Sequence, residues 1–351
     1  MNKIRVLLTS CGCPGASTLI RMLKKNGERA VEIIGTDMDN EAIGRFFVDK
    51  FYQVPSGNSN NYISNMLDIV EKEKPDVLFP QSTYEVYPLS LNKEKFENNG
   101  TPVIVSDSEE IEVANNKFKM YETLDKKTDI DIPSYFSVNN LYEFLDAAEK
   151  LGYPEKPVIF KPHVGKGSRG VRIIDPKVDR KMVLMEKKPN SKYMAMDEFK
   201  NIFEKDVVFP KLLLTEYFKG MEKTSDSLCF KGEELLTTIK TVEQARWGVI
   251  VRGELIKDEE ILEQTRKILK AIPLSYCVNI QFIEDKLIEI NPRVSTFIYQ
   301  SNLIAPYISI KLALGEITKG EIKQQKNIID YERRMIRYMD QIFHKNHKIV
   351  L

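Results

Sequence analysis

The sequence predicts a mixed chain, α/β at its N-terminal end and α+β beyond, and three observations predict it. Strands and helices alternate over the first 112 residues. A glycine-rich loop, Gly165 to Gly170, lies between two apolar runs at 157–161 and 171–174. Near the C-terminal end, the run from Asn279 to Arg293 reads as two buried strands joined by a short turn.

Each element follows from local pattern. Residues 4–10 (IRVLLTS) form an apolar run, so a buried strand is expected there. The turn CGCPGAS and a helix over 16–26 follow. A second strand, VEIIGTD at 31–37, ends in Asp37. A helix at 61–73 precedes a strand at 76–80, and another helix precedes a strand at 102–105. Such alternation indicates a parallel, doubly wound sheet with its ligand-facing loops at the strand C-terminal ends. From residue 113 the pattern changes. Helices are expected at 115–126 and 139–151, then the two strands flanking the glycine loop. That context is a hairpin, so a P-loop is excluded, and the GxxxxGK[ST] string is absent too. A helix at 195–205 leads to strands at 211–217, 226–231, 235–241 and 247–251, an antiparallel group. Helices are expected at 258–271 and 303–315, and 321–351 reads as a terminal helix or tail.

Composition narrows the class. The 351 residues suit two to three domains with ample core. Lys and Arg number 52 against 51 Asp and Glu, which argues against general binding to nucleic acid or membrane surfaces. No stretch approaches the ~20 apolar residues that span a bilayer, and no cleavage pattern follows the N-terminus. A cytoplasmic protein is expected. Four cysteines, Cys11, Cys13, Cys229 and Cys277, are read as reduced and structural. A zinc site on the CxC pair would need two further ligands, and only three histidines are present.

The C-terminal strand pair carries the chemistry. Residues two apart on a strand share a face, so Glu289 and Asn291 project together and Gln281 joins them from the partner strand. Three oxygen donors and Arg293 on one surface make a seat for Mg²⁺ and polyphosphate. The alternative is a solvated strand face, but the apolar neighbours Phe282, Ile288 and Ile290 suggest burial, where an unpaired carboxylate is costly. In the glycine loop, flexible backbone can close on a ligand and present N–H groups to its oxygens. Lys161 would add a cation, or is an ordinary strand-end lysine. Arg246 and Arg252 either meet a substrate carboxylate or are surface charges. Gln81, Ser82, Thr83 and Glu85 follow a strand end and either face a ligand or start a capped helix. His163 and Asp226 are read as structural, Arg169 as a flap residue that stays solvated, and Arg333, Arg334 and Arg337 as a solvated helix face. The turn after the first strand is GxPGAS rather than GxGxxG, so Asp37 supports a nicotinamide site only mildly.

Four blocks in order make the chain resemble the ATP-grasp superfamily, on its carbamoyl-phosphate-synthase-like branch. They are Asn116-Lys117; Phe160-Lys161-Pro162 with the loop through Gly170; Glu216 through Glu222, with Asp226 after it; and Asn279 through Ser295. The resemblance covers roughly 113–320. It implies a Rossmann-like pre-ATP-grasp domain over 1–112 and a two-lobe ATP-grasp fold. The small lobe with the flap would span 113–190, the large lobe with hinge and metal site 191–320, and a tail 321–351. Lys117 and Lys161 would contact the ATP phosphates beneath a flap of Gly165, Gly167, Ser168, Arg169 and Gly170. Glu216, Tyr217 and Phe218 would lie at the adenine edge, and Glu222 would take the ribose hydroxyls. Gln281 and Glu289 would hold one Mg²⁺, and Glu289 with Asn291 a second, Mn²⁺ being an alternative ion. Arg293, with Lys161, would act on the transferred phosphate.

The implied activity is ATP-dependent carboxylate–amine (or thiol) ligation through an acyl phosphate, releasing ADP and phosphate. Phosphoryl transfer works by positioning and charge compensation, so no nucleophilic His, Cys or Ser is required. The expected partners are a small carboxylate and an amine, with no nucleic acid and no membrane, and a homodimer is compatible with the reading. A full carbamoyl phosphate synthetase needs two ATP-grasp units, and one is present here. The rivals are a non-catalytic ATP-binding module and a nicotinamide-dependent oxidoreductase.

Overall fold

Four parallel strands organise the N-terminal third of the chain. The computed structural model describes residues 2–165, 169–187, 191–204, 208–246 and 249–350. In order come β1 (Ile4–Leu8), α1 (Ala16–Lys24), β2 (Val31–Asp37), β3 (Lys50–Gln53), α2 (Tyr62–Glu73), β4 (Val77–Phe79), α3 (Thr83–Leu91), α4 (Lys93–Glu97) and α5 (Ser108–Asn115). The sheet runs β3-β2-β1-β4 with every pair parallel. Its central strands are buried on both faces, which is why they read as continuous apolar runs. The strand expected at 102–105 is only a bridge. Val103 pairs with Leu78, flanked by bonds from Leu78 N–H to Pro102 O and from Ile104 N–H to Leu78 O. The three residues of β4 leave nothing longer to pair with.

The next segment builds a second sheet. Its elements are α6 (Lys117–Lys127), β5 (Tyr135–Val138), α7 (Leu141–Lys150), β6 (Val158–Pro162), β7 (Arg172–Ile174), α8 (Arg180–Glu186), β8 (Tyr193–Met194), α9 (Met196–Phe203) and β9 (Leu212–Glu216). Strand order is β5-β9-β6-β7-β8, and β6 pairs antiparallel with β7 across the glycine loop, as the hairpin pattern predicts. Phe144 of α7, Phe160 of β6 and Phe199 of α9 stack into one aromatic cluster behind the sheet. Gly170 has φ +73°, and a Cβ there would stand 2.7 Å from the Pro162 ring, so the loop can return to β7 only through glycine. Gly167 and Ser168, expected in the flap, lie outside the described residues.

The third segment is a large antiparallel sheet. It contains β10 (Glu222–Phe230), β11 (Glu233–Val242), β12 (Gln244–Arg246), β13 (Val249–Ile256), α10 (Glu259–Ala271), β14 (Tyr276–Ile283), β15 (Lys286–Asn291), α11 (Ala305–Ala313), α12 (Lys319–Gln324), β16 (Arg334–Ile336), β17 (His344–Lys345) and β18 (Lys348–Ile349). The order is β12-β13-β11-β10-β14-β15, with β16 also on β13. Helix α10 covers one face through Ile261, Ile268 and Leu269, which pack with Val278, Ile280, Phe282 and Ile290. The chain after 321 is neither a terminal helix nor a free tail. It adds β16 to the sheet, pairing Arg252 with Ile336 and Glu254 with Arg334. Arg334 forms ion pairs with Glu243 and Glu254, so it does not belong to a solvated helix face.

The three segments share cores. The N-terminal sheet packs through Ile4, Val6 and Leu8 into a cluster that includes Tyr276, Val294, Phe297 and Ile310. Ser106 Oγ donates to Ser275 O and accepts from Ser275 N–H, a second tie across that junction.

Within the large sheet, Lys240 and Asp226 form an ion pair with no exposed side-chain surface, and Asn279 Nδ2 donates to Asp226 Oδ1 at 2.9 Å. Removing one partner strands the other charge in the interior. Asp226→Ala should therefore cost about 3–5 kcal/mol, while replacing both ends by apolar side chains should restore most of it. Thermal and urea unfolding midpoints of the two variants check this.

Candidate active site

Strand register brings the candidate groups to one face. Gln281 lies directly opposite Glu289, and Asn279 opposite Asn291. Thr224 and Asp226 on β10 oppose Gln281 and Asn279, and Lys240 and Thr238 on β11 oppose Thr224 and Asp226. Directly opposed residues share a face, so the side of this sheet away from α10 is polar across four strands. Asn279 and Lys240 were legible as polar residues inside apolar strands, yet the face they build needs the register to be seen.

Cations reach this face from three other places. Asn116 caps α6 by accepting from Phe118 N–H and Lys119 N–H, which sets Lys117 as the first helical residue. Lys117 Nζ stands 3.2 Å from Glu289 Oε1 and donates to Gly165 O at 3.3 Å. Lys161, at the end of β6, donates to Ile288 O at 3.1 Å, with the Tyr121 ring 5.4 Å away. Its pKa is pushed down to about 7, first by burial and then by the Lys117 charge, with Glu289 opposing. Arg293 follows β15. Its Nε donates to Thr83 Oγ1 at 2.9 Å, one Nη to Val294 O at 3.0 Å and the other to Asn291 Oδ1 at 3.2 Å. Burial lowers the guanidinium pKa, and no carboxylate bonds to it among the described residues. Three cations thus surround one carboxylate.

Other expected residues sit at the edges of this arrangement. Glu216 ends β9 and its Oε2 accepts Ser134 N–H at 2.9 Å, so its side chain braces β5. Tyr217 and Phe218 continue from it; the Lys286 ammonium lies 5.4 Å from the Phe218 ring, and burial lifts the Tyr217 phenol to about 12. Glu222 begins β10 on the polar face, and burial raises its carboxyl pKa, with Lys192 and Lys240 opposing. Arg169 and Gly170 are exposed. His163 is structural, its Nε2 being 3.1 Å from Ser137 Oγ and its ring stacked on Phe118.

The loop after β4 resolves in favour of a capped helix start. Ser82 and Glu85 form a capping box, Thr9 Oγ1 donates to Glu85 Oε2 at 2.6 Å, and Gln81 Nε2 donates to Thr9 O at 2.8 Å. Thr83 alone turns toward the site, through Arg293. Asp37 is also occupied, accepting Gly12 N–H at 2.6 Å and Asp39 N–H at 2.9 Å, so it holds the first turn rather than an open ribose site. None of the four cysteines is in a disulfide.

Beside this face lies a cavity of about 810 Å³. Its walls are the start of α1, strand β13, residues 295–299 just beyond Arg293, and residues 333–342. Arg21, Arg246, Arg333, Arg334 and Arg337 line it, with Asp340 the one acidic residue in the lining among the described residues. Arg252 is exposed and lies outside that lining. Arg337 is half-buried and donates to Ile250 O at 3.2 Å and to Pro14 O, with no carboxylate partner among the described residues.

Comparison with known proteins finds relatives in sequence and in fold. Residues 6–104 match the family described as PylC-like, N-terminal domain, and residues 208–335 match ATP-grasp in the biosynthetic pathway with Ter operon. A carbamoyl phosphate synthase large chain of Clostridium botulinum (strain Langeland) is 29% identical over 310 residues, covering 83% of this chain and 25% of that protein. The corresponding protein of Clostridium perfringens (strain 13) is 27% identical over 306 residues, with the same coverage of 83% and 25%. The chain thus spans about a quarter of the length of these curated relatives. Among solved structures, N5-carboxyaminoimidazole synthetase from Staphylococcus aureus, complexed with ADP, superposes with a TM-score of 0.64 at 15% identity, covering 90% of this chain and 78% of that one. Phosphoribosylglycinamide synthetase from Anaerococcus prevotii gives 0.62 at 19% identity, covering 95% and 80%. At such identities these two likenesses show the fold.

Fold and matches together define an ATP-grasp protein. Within that superfamily the chain is similar in sequence to carbamoyl phosphate synthase large chains, and its residues 6–104 match a PylC-like N-terminal domain. No described helix is long and apolar enough to cross a membrane.

The crowding of like charges makes a checkable signature. Lys161 should titrate near pH 7 in lysine-labelled NMR spectra, well below the other lysines. Lys117→Met removes a neighbouring positive charge and should raise that midpoint; Glu289→Gln removes the opposing carboxylate and should lower it.

Proposed function

We propose that this ATP-grasp ligase activates a carboxylate with Mg·ATP as an acyl phosphate and transfers the acyl group to an amine or thiol, releasing ADP and phosphate. One observation carries the reading: Lys117 pairs with Glu289, and the buried Lys161 and Arg293 feel the same carboxylate's charge, with no other carboxylate bonded to the three among the described residues. Buried positive charge without a counter-ion calls for an anion, and a polyphosphate supplies several negative charges.

The donor set fits Mg²⁺. Among the described residues, Glu289 offers a carboxylate whose one ion-pair partner is Lys117, Gln281 an amide with no side-chain partner, and Asn291 an oxygen shared with Arg293. These are the hard oxygen ligands Mg²⁺ prefers. In this reading Gln281 and Glu289 hold one ion and Glu289 with Asn291 a second, Mn²⁺ being able to replace either. When bound, the ions neutralise the reacting phosphates. Lys117 and Lys161 hold the phosphates from the opposite side, and Lys161 recovers its full charge as it does so. The glycine loop, with Gly165, Gly167, Ser168, Arg169 and Gly170, closes over them. Backbone after Glu216, at Tyr217 and Phe218, reads the adenine edge, because the Glu216 carboxylate is engaged by Ser134. Glu222 takes the ribose. Arg293, oriented by Thr83 and Asn291, stabilises the transferred phosphoryl group.

The carboxylate substrate occupies the arginine-lined cavity, which begins two residues beyond Arg293. A volume of about 810 Å³ suits a small organic acid of ligand size rather than bicarbonate alone. Its arginines, Arg337 above all, suit a second anionic group on that acid. Small molecules are the partners in this reading, with no nucleic acid and no membrane.

Screening carboxylates against amines for ADP release identifies the substrates. Glu289→Gln should lower that release by about 10²–10³-fold or more while circular dichroism stays unchanged; full activity in this variant would remove the metal assignment. An ATP-binding module without ligase activity would bind Mg·ATP yet release no ADP with any pair. Tight NAD binding without ATP binding would sink the reading altogether. Arg337→Gln should raise KM for the acid roughly 10- to 100-fold, the cost of one charged hydrogen bond, and leave KM for ATP unchanged.

A further inference from the structure

The last strands of the chain form a hairpin whose turn is built by Asn346 and His347, at φ 49° and 60°. Left-handed backbone at two successive residues is the geometry of a tight hairpin turn, and Asn and His are among the few side chains that adopt it readily. The turn sets the His344 and His347 rings side by side, with centroids 5.8 Å apart and planes within 12°. The hairpin rests on the N-terminal domain. The Phe46 ring contacts His344 at 4.8 Å, and the Glu41 carboxylate reaches both histidines. His344 Nε2 lies 3.0 Å from one Glu41 oxygen, and His347 Nδ1 lies 3.4 Å from the other.

Hydrogen bonding does not account for His347. The Nδ1 atom of His347 is shielded from solvent and makes no hydrogen bond, although it faces the carboxylate. Glu41 has no lysine or arginine partner among the described residues. The three donor atoms lie within 4.8 Å of one another. Around a tetrahedral ion with metal–ligand distances of about 2.0–2.2 Å, donors stand about 3.3–3.6 Å apart; His347 Nδ1 lies at such a separation from one Glu41 oxygen, and His344 Nε2 slightly closer to the other.

We propose that Glu41, His344 and His347 bind a divalent transition-metal ion of the Zn²⁺ class, leaving a fourth position for water. Two imidazoles and one carboxylate suit such an ion, whereas Mg²⁺ prefers oxygen donors alone, so this centre is distinct from the Glu289 face. The ion clips the C-terminal hairpin to the N-terminal domain. Its neighbours explain what the clip would hold: Ile43, two residues from Glu41, and Ile342, two residues from His344, both line the arginine cavity. The segment 333–342 that carries Arg337 would thus be anchored at both ends, by β16 on the sheet and by the metal at the hairpin.

The full-length protein, stripped with a chelator and reloaded with Zn²⁺ in excess Mg²⁺, should retain one Zn²⁺ per chain through gel filtration. His344→Ala/His347→Ala should retain none, and Cys13→Ser should retain it, which separates the site from thiol binding. Unchanged thermal midpoints in chelator would show that the histidine variant is folded. Co²⁺ in place of Zn²⁺ should give the intense visible bands of a four-coordinate ion in wild type only. Zn²⁺ should also slow tryptic cleavage at Lys345 and Lys348 in wild type and not in the double variant. Equal zinc content in wild type and the histidine variant overturns the site; stoichiometric binding with no change in cleavage overturns the clip.

Discussion

A charged group can stay buried only if something balances it, and that constraint organises the centre of this molecule. The polar face of the large sheet meets it in two ways. At Asp226 and Lys240 the balance is internal: opposite charges pair across neighbouring strands and Asn279 completes the set. One step along the same strands the balance is left open. Lys117 pairs with Glu289, Lys161 and Arg293 feel the same carboxylate's charge, and the pKa of Lys161 is depressed first by burial and then by the Lys117 charge. A structural ion pair and the proposed anion site thus share one sheet face and differ in whether the negative charge comes from the chain.

The N-terminal domain is part of this arrangement. Arg293 leaves β15 and turns to Thr83 at the head of α3, so a side chain from each segment orients the other. Beneath them Val294 and Phe297 enter the same apolar cluster as Ile4, Val6 and Leu8. That shared core holds the segment just after Arg293 against the N-terminal sheet.

Much of this was legible in the residues. Period-two alternation put Glu289 and Asn291 on one face. A regular hairpin from the turn at Glu284 and Asp285 would set Gln281 opposite Ile288, and only the bulge at Gln281/Phe282 brings it opposite Glu289. The glycine hairpin and the parallel N-terminal sheet follow equally directly from local pattern. Short elements escaped. β3 and β5 are four residues each and only partly buried, so neither shows a clear apolar run. The three residues of β16 sit in a charged stretch and become a strand only because β13 offers an unpaired edge. Gln81 and Glu85 carry the residue types of a ligand loop, yet their bonds go to Thr9 and the helix cap.

What the sequence by itself determined was therefore the class of fold and the inventory of phosphate- and metal-compatible side chains, since both depend on spacing within single strands, turns and helix starts. Only the tertiary structure decided which of them meet. Lys117 and Glu289 are far apart in the chain and 3.2 Å apart in space. Arg337, read as a solvated charge, lines a cavity because β16 joins the sheet. Glu41 meets two histidines from the far end of the chain. Such contacts arise from the packing of separate segments onto common cores, and no local periodicity encodes them.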